Sequence, residues 1–211
     1  MEHKAIAIPV IQDPGGPRFL LVHDKRHREW TFVTGGCHHR EVINPIRTAI
    51  RELEEETRGV IVLRRGTYKY FNFEALNSKY HVFIFQVSLD AQYIVDRFNY
   101  EKWKMDTKQV CFRTIYDEND SMKFLRMDEI KECPQLWEFI SENIIQNKEF
   151  HEVLASETHH NFSIEIANDK KQGRSFGSSA SYGRFMRGSG SGVEDTSRAT
   201  QAGGPEGASG A

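Results

Sequence analysis

The chain has 211 residues, a formal net charge of −2 and a hydrophobic fraction of 38%. That length supports one well-packed core and argues against two. From residue 170 onward there are six Lys and Arg against three Asp and Glu, which leaves a charge of about −5 on the preceding part. A mildly acidic body argues against a dedicated module for duplex DNA but is compatible with a nucleotide or an RNA end as substrate.

The cysteines and the apolar stretches indicate a cellular setting. Cys37, Cys111 and Cys133 are odd in number, widely spaced and without a C-x-x-C pair. They therefore predict neither a disulfide framework nor a zinc site, and a reducing compartment is expected. No stretch approaches the ~18 consecutive apolar residues of a membrane helix, and no signal region precedes the first strand-like segment. We expect a cytoplasmic protein with no membrane partner.

The N-terminal segment predicts a β-hairpin that leads to a glycine loop. Residues 4–11 and 18–23 are apolar and rich in β-branched side chains, and the turn formers of residues 13–17 separate them. This pattern is typical of two antiparallel strands. Residues 30–36 then lead from a third strand-like run into a pair of glycines.

An acidic helix follows the glycines. Asn44 can cap its free amides with the side chain, and Pro45 suits the first helical position, where a missing N–H costs nothing. The positions i, i+3, i+4 and i+7 carry an apolar stripe made of Ile46, Ala49, Ile50 and Leu53. Such a stripe predicts that one face of the helix packs on a core.

The carboxylates of this helix share a second face. At about 100° per residue, Glu52, Glu55 and Glu56 fall within an arc of roughly 100°, whereas Glu54 points to the opposite side. Like charges this close repel one another, and a divalent cation among them would relieve the repulsion. Oxygen ligands of this kind suit Mg²⁺ or Mn²⁺. By composition alone, the alternative is a solvated acidic face balanced by the arginines of the same helix.

The spacing of these residues resembles a known family signature. Gly35-Gly36, Glu41 and the run Arg51-Glu52-Leu53-Glu54-Glu55-Glu56 are similar to the Nudix box of the Nudix (MutT-like) hydrolases, G-x5-E-x7-R-E-U-x-E-E-x-G-U with U aliphatic. Two spacings differ, because nine residues instead of seven separate Glu41 from Arg51 and Arg58 is an extra residue before Gly59. With the helix as the fixed frame, Ile43 holds the position of the loop glutamate, which leaves the role of Glu41 open.

The resemblance implies roles for individual residues. Glu52, Glu55 and Glu56 would bind the metal, and Arg51 would orient a helix carboxylate through a salt bridge. The i,i+4 spacing agrees, because it sets Glu52 one turn from Glu56 and Arg51 one turn from Glu55. Glycine amides are open to phosphates because no side chain blocks them. The predicted substrate-binding residues are the glycines and their basic neighbours, Gly35, Gly36, Arg26, Arg28, His38 and Arg40. The adjacent His38 and His39 lack metal-site spacing, so a phosphate contact or a solvated loop is favoured for them.

Three further strands are predicted after the helix, at residues 59–63, 67–74 and 80–87. The last is so continuously apolar that we expect a central strand covered on both faces. Alternating aromatics in the second strand favour sheet core over a base-stacking platform. These aromatics are Tyr68, Tyr70, Phe71 and Phe73.

The remaining segments are less regular. Residues 90–110 predict an insertion with a short helix or loop, and residues 111–116 a strand. A closing strand at 122–127 and a packing helix at 136–145 follow, with helical character to about residue 157.

An acidic turn at residues 117–120 precedes the closing strand. Many Nudix proteins supply one more carboxylate from the corresponding loop, as metal ligand or general base. Glu118 is the candidate, with Asp117 and Asp120 close behind, and a plain polar turn is the alternative for each. The proton of the attacking water would pass either to Glu52 or to Glu118.

Together the elements fit the α/β/α sandwich of the Nudix fold, an α/β fold with a mixed sheet. We expect a Nudix domain at residues 1–150 and a helical extension or linker at 151–169. Residues 170–211 are Gly/Ser-rich, cannot bury enough apolar surface to offset the entropy of ordering, and are predicted to be a disordered tail.

The resemblance implies hydrolysis of a pyrophosphate bond with Mg²⁺, or Mn²⁺, as cofactor. The substrate would be a nucleoside diphosphate linked to another moiety, such as a nucleotide, a nucleotide sugar or a capped RNA 5′ end. The altered spacings at Glu41 and Arg58 motivate an alternative, a catalytically weakened Nudix domain that binds a nucleotide or a protein partner. The sequence does not fix the oligomeric state, and a dimer is compatible with it.

Overall fold

The computed structural model describes residues 1–108 and 117–164. Its strands are β1 (Glu2–Asp13), β2 (Gly16–Asp24), β3 (Trp30–Thr31), β4 (Val33–Gly36), β5 (Arg65–Ala75), β6 (Ser78–Gln86), β7 (Asn119–Leu125) and β8 (His160–Ser163). Its helices are α1 (Pro45–Glu56), α2 (Ala91–Lys108), α3 (Met127–Lys131), α4 (Glu138–Ile140) and α5 (Lys148–Ala155), with a π-helical turn at Ser141–Ile145.

The sheet is built around β1. β6 runs parallel along one edge of β1, and β5 and then β8 extend the sheet antiparallel beyond it. On the other edge, the C-terminal end of β1 forms the predicted hairpin with β2, while its N-terminal half pairs with β4. β3 and β7 both pair with β2. The segment from β3 to β4 thus lies in the fork where β1 and β2 diverge. This segment places the glycine pair before the first helix.

Two hydrophobic cores lie on opposite faces of the sheet. Side chains of β1 alternate between them, as the period of a strand requires. Ala5 and Ala7 pack with the apolar stripe of α1 and with α2, whereas Ile6 and Ile8 pack with α3, α4 and α5. The arrangement is an α/β/α sandwich with a mixed sheet, which confirms the predicted fold class.

β6 is the central strand that its sequence predicts, since every residue from 80 to 85 is buried between β1 and β5. The aromatics of β5 belong to the cores. Phe71 and Phe73 pack on the side of α4 and α5, and Tyr68 and Tyr70 pack on the side of α1. The core interpretation of these four residues is confirmed.

The predicted strand at residues 59–63 is wrong. Arg58 and Gly59 both adopt left-handed backbone conformations, with φ of 57° and 71°, and they turn the chain away from the sheet. Ile61 instead anchors the turn, because its side chain is buried and its N–H donates to Thr57 Oγ1 at 3.1 Å. A run of β-branched residues therefore marks a buried anchor here, not a paired strand.

The insertion after β6 is more regular than predicted. Residues 91–108 form one helix of 18 residues instead of a short helix or loop. Ile94 and Phe98, one turn apart, are fully buried and dock this helix on the sheet. The strand predicted at 111–116 lies outside the described residues.

The C-terminal region also differs from its prediction. The packing helix expected at 136–145, with an extension to 157, is divided into α4, the π-helical turn and α5. After α5, in the predicted helical extension or linker, β8 adds to the edge of β5 and packs Phe162 beside Tyr68. A four-residue edge strand with one half-buried side chain gives too weak a period to be recognised in sequence. The predicted disordered tail, 170–211, falls outside the described residues.

In the described part of the chain, no helix has the length and apolar character needed to cross a bilayer.

Candidate active site

The acidic helix starts where the sequence predicts it, with Pro45 in the first turn. The predicted side-chain cap is wrong, since Asn44 makes no capping hydrogen bond. Its backbone N–H instead donates to the carbonyl of Glu41 at 2.8 Å, which closes a turn that precedes the helix. The apolar stripe packs on β1 and β4, so the carboxylate face lies beside the glycine pair.

Arg51 is the centre of an ion-pair network. Its Nη1 donates to Glu55 Oε2 at 3.1 Å, the i,i+4 pair that the helical spacing predicts, and also to Glu52 Oε1 at 2.7 Å. Its Nη2 also donates to the carbonyl of Gly36 at 3.2 Å. Burial disfavours the charge of Arg51, but the hydrogen bond to Glu41 and the charge of Glu52 outweigh burial and raise its pKa.

Glu41 is a functional candidate whose role the sequence left open. Its two carboxylate oxygens accept from Arg51 Nε and Nη2 at 3.2 and 3.1 Å, and they also accept from the His38 N–H and the Thr48 hydroxyl. Burial alone would raise the pKa of Glu41, but these hydrogen bonds hold it below its usual value. Ile43, which occupies the position expected for the loop glutamate, is 92% exposed. The intact spacing from Gly35 to Glu41 was the signal that could have identified this residue.

Glu52 lies against the glycine loop. A Cβ atom on Gly35 would overlap the Glu52 carboxylate, so only glycine permits this close approach. Burial raises the pKa of Glu52 despite the neighbouring Arg51, and the charges of Glu55 and Glu118 act in the same direction. The carboxylates of the helix and of the later loop are therefore near enough to interact.

Glu56 ends the helix in a buried position, with only 7% of the residue exposed. Its carboxylate accepts hydrogen bonds from neutral donors, the Thr34 N–H at 3.2 Å and the Asn119 side-chain amide at 2.8 Å. Burial raises its pKa to about 8, and the charges of Glu52 and Glu118 add to the effect. Sequence reasoning missed Thr34 and Asn119, because only the packing of β4 and β7 against the helix brings them to Glu56.

Glu118 stands across a cleft from the helix carboxylates. Partial desolvation raises its pKa, and the charges of Asp24 and Glu55 contribute. The cleft has a volume of about 260 Å³. Its lining combines carboxylates with aromatic rings and includes Glu56, Glu118, Asn119, Thr34, Phe32 and Trp137. The cleft therefore offers carboxylates and aromatic surface together.

The donor set of this cleft fits a hard divalent cation. Carboxylate oxygens of Glu56 and Glu118 line the cleft, and the charge of Glu118 contributes to the raised pKa values of Glu52 and Glu56. Within residues 1–108 and 117–164, no three acidic, His or Cys side chains already converge as a metal-binding group. Arg51 holds Glu52 and Glu55 on one side, while Asn119 holds Glu56 on the other. A cation would compete with these hydrogen bonds.

The four predicted basic substrate-binding residues are not among those that line the cleft. Arg26 and Arg28 lie in the loop between β2 and β3, and His38 and Arg40 lie in the turn before α1; all four are exposed. Arg28 Nη1 is 3.9 Å from Asp120 Oδ2, while the other three side chains form no ion pair with any described residue. Their role in substrate binding stays a prediction.

Glu54 points away from the site, as predicted, and pairs with Arg64 at 2.9 Å. The helix thus separates one outward carboxylate from three that face the cleft or the Arg51 network.

Comparison with known proteins gives the family. A family model described as the NUDIX domain matches residues 1–140. No curated protein matches the chain. An Ap4A hydrolase of C. elegans in a binary complex is 17% identical, with 67% of this chain and 91% of that chain covered and a TM-score of 0.41. The MutT protein of Methanosarcina mazei Go1 is also 17% identical, with 73% and 96% covered and a TM-score of 0.43.

A third structure, the NUDIX domain of Shewanella oneidensis NrtR complexed with ADP ribose, is 13% identical, with 66% of this chain and 81% of that chain covered and a TM-score of 0.43. TM-scores below 0.5 leave these likenesses without weight, and the domain match alone decides. Since that match spans the fork of the sheet, the acidic helix and the loop of Glu118, the chain belongs to the NUDIX family.

Proposed function

We propose that the protein is a pyrophosphohydrolase that requires Mg²⁺ or Mn²⁺ and cleaves a nucleoside diphosphate linked to another moiety. One observation carries the proposal. Carboxylates from two separate parts of the chain, Glu56 on the helix and Glu118 on the loop before β7, line one cleft of about 260 Å³. Such a convergence of partly desolvated carboxylates is typical of a site for a charged substrate and its cation.

Glu52, Glu55 and Glu56 are the residues that would hold the cation. When bound, Mg²⁺ or Mn²⁺ supplies neutralisation of charge on the diphosphate oxygens and lowers the pKa of a bound water. Arg51 keeps Glu52 and Glu55 oriented toward the glycine loop through its Nη1. Gly35 and Gly36 expose backbone that phosphate oxygens can approach closely.

Of the two candidates for the general base, we favour Glu118. Glu52 already accepts a hydrogen bond from Arg51 Nη1 at 2.7 Å, which opposes the rise that burial causes in its pKa. Glu118 has no such cationic partner among the described residues, and burial together with the charges of Asp24 and Glu55 raises its pKa, which makes it a better proton acceptor than a free carboxylate. Phe32 and Trp137 reduce the access of bulk water to the same cleft.

The exposed cations Arg26, Arg28, His38 and Arg40 would receive the outer phosphates. Since they are exposed in loops and do not line the cleft, contact with them would require an extended substrate, a nucleotide, a nucleotide sugar or a capped RNA 5′ end. The free thiols of Cys37 and Cys133 agree with a reducing, cytoplasmic setting.

A panel of diphosphate compounds with and without Mg²⁺ tests the proposal. We expect metal-dependent turnover of at least one compound. In Glu118→Gln the value of kcat should fall by about 10²- to 10⁴-fold with KM little changed, as for loss of a general base. Glu54→Gln is the matched control, because Glu54 faces away from the cleft. Equal kcat in Glu118→Gln and wild type would remove Glu118 from this role.

A binding module is the second candidate function. It is favoured by the Arg51 network, which engages Glu52 and Glu55 and leaves no convergent metal-binding group in the described residues. Tight binding of a panel member without turnover, with or without metal, would support it over the enzyme.

A further inference from the structure

Arg58 is a buried cation that the proposed reaction does not use. It is the extra residue between the helix and Gly59, and its side chain is 2% exposed. Its backbone is held in the left-handed region at φ 57°, a conformation that disfavours residues with a Cβ. A buried arginine at a position suited to glycine calls for an explanation in terms of what its guanidinium holds.

The guanidinium holds the two residues that flank Glu118. Arg58 Nη2 donates to Asp117 Oδ1 at 3.2 Å and to the carbonyl of Asn119 at 2.6 Å. Its guanidinium plane lies over the Phe98 ring of α2 at 4.6 Å, which fixes the direction of the side chain. One nitrogen therefore joins the end of the acidic helix to both neighbours of the proposed general base.

Lys25 holds the same segment from the opposite side. Its N–H donates to the carbonyl of Glu118 at 3.0 Å, and its Nζ lies 2.5 Å from Asp117 Oδ1. The Lys25 side chain is partly exposed, whereas the Arg58 side chain and its hydrogen bond to the Asn119 carbonyl are buried. The Asp117 carboxylate that both residues contact is exposed. Because buried charge-assisted hydrogen bonds are stronger and less screened, Arg58 is the firmer of the two attachments.

The contact with Asn119 extends to the helix carboxylate. Arg58 engages the backbone carbonyl of Asn119, and the side-chain amide of the same residue donates to Glu56 Oε2 at 2.8 Å. The chain of contacts runs from Arg58 through Asn119 to Glu56. A shift of the segment would therefore move Glu118 and release Glu56 together.

Fold stability alone accounts poorly for this arginine. Its Nε and Nη1 are buried and have no hydrogen-bond partner among the described residues. Burying a guanidinium with only one nitrogen engaged is costly, and an apolar side chain of similar length is often as stabilising at such a position. What an apolar side chain could not supply is the double contact at Asp117 and Asn119.

We propose that Arg58 is a positioning residue, which clamps residues 117–119 so that Glu118 faces the cleft and Asn119 holds the carboxylate of Glu56. The inference rests on the proposed function for the roles of Glu118 and Glu56. The clamp itself is a property of the metal-free protein and can be measured without a substrate.

Three variants test the clamp. Arg58→Met keeps the apolar length and removes the donors, while Arg58→Lys keeps a charged donor and, because a single nitrogen makes both contacts, should restore part of the function. Arg64→Met is the matched control, since it removes the ion pair with Glu54 on the outer side of the same helix. Each variant is compared with the full-length wild type for kcat, KM, Mn²⁺ affinity by calorimetry, and hydrogen exchange of peptides that cover residues 117–125.

For Arg58→Met we expect kcat and Mn²⁺ affinity to fall by about 10- to 100-fold, as for the loss of a residue that orients a metal ligand, with KM near the wild-type value. Exchange in residues 117–125 should become faster than in Arg64→Met, and Arg58→Lys should lie between Arg58→Met and wild type. A folded Arg58→Met with wild-type kcat, Mn²⁺ affinity and exchange would overturn the proposal.

The two proposals fail in different ways. Absence of turnover in the wild type with every diphosphate would count against the proposed function. In that case, faster hydrogen exchange in Arg58→Met would still support the clamp, and unchanged exchange would overturn it. Should Arg58→Met not fold, Asp117→Ala at an exposed position removes one arm of the clamp. It should speed exchange in the same peptides, and unchanged exchange there would equally overturn the proposal.

Discussion

Glu41 and Glu56 belong to two separate sets of hydrogen bonds around the acidic helix, and their pKa values are shifted in opposite directions. Each accepts several hydrogen bonds, but Glu41 receives two of them from the guanidinium of Arg51, whereas Glu56 receives its own from neutral donors in a fully buried position. The pKa of Glu41 is accordingly lowered, while that of Glu56 is raised to about 8. Complete burial without a charged partner raises the pKa of Glu56, whereas Glu41 is less buried and its hydrogen bonds, first of all those from Arg51, outweigh burial.

The largest effect is expected from substitution of Glu56. Glu56→Gln should lower kcat by more than about 100-fold, because even the loss of a group that only orients a metal ligand costs about 10- to 100-fold. At neutral pH the raised pKa keeps Glu56 mostly protonated in the metal-free protein. Glu56→Gln therefore replaces a neutral acid by a neutral amide and should lower stability by less than the loss of one accepting oxygen from an ionised carboxylate would. Steady-state kinetics and urea unfolding in EDTA measure the two effects. A large loss of stability together with activity would show that Glu56 is ionised and structurally required.

Substitution of Glu41 is expected to lower stability as well as activity. Glu41→Gln should weaken the contacts to Arg51 and lower the free energy of unfolding by about 1.5–3 kcal/mol, the usual range for a hydrogen bond to a charged group. Activity should fall by about 10- to 100-fold, because Arg51 then orients Glu52 and Glu55 less well. Urea unfolding and Mn²⁺ titration test this. Unchanged stability would mean that Arg51 finds another partner in the turn.

The pH dependence of stability also distinguishes Glu56 from Glu41. Because the pKa of Glu56 is raised from 4.5 to about 8, its stabilising contribution is complete below pH 4.5 and declines as the pH rises toward about 8. Glu41, whose pKa is lowered, stabilises the fold above its unfolded value and loses that contribution as the pH falls through its folded value. Urea midpoints between pH 5 and 8 in EDTA should therefore decline less in Glu56→Gln than in wild type. Parallel slopes for the two proteins would contradict the raised pKa.

The smallest effect is expected on the outer side of α1. Arg64 and Glu54 form an exposed ion pair outside the network, and Arg64→Met should change the free energy of unfolding by no more than about 1 kcal/mol. Added salt should reduce the difference further. A larger change, measured by urea unfolding at low and high salt, would mean that the outer pair contributes to the fold as much as the inner network does.

Periodicity and spacing predicted the elements that depend on local sequence. The hairpin of β1 and β2, the buried strand β6, and the helix with Glu52, Glu55 and Glu56 follow from patterns within about a dozen residues. The i,i+4 ion pair of Arg51 with Glu55 could be anticipated for the same reason. Local geometry decides these contacts, so one sequence is sufficient to infer them.

Contacts that depend on tertiary packing could not be predicted in this way. Asn119 reaches Glu56 only because β7 packs on β2, and Arg58 reaches the same segment only because the chain after α1 turns in the left-handed region. That turn also explains the false strand at 59–63. The role of Glu41 depends on the path of the turn at residues 37–44. The extra residues change this path, but the turn still leads into the same helix.

The register of β4 limits where residues can be inserted into this protein. Its four residues supply the Thr34 N–H to Glu56 and the Gly36 carbonyl to Arg51, in fixed register with β1. An insertion within β4 would misdirect both groups in one step, because each added residue inverts the facing of a strand. Insertions in the turn that follows only lengthen an exposed loop. The two extra residues there therefore leave the ends of the helix correctly placed.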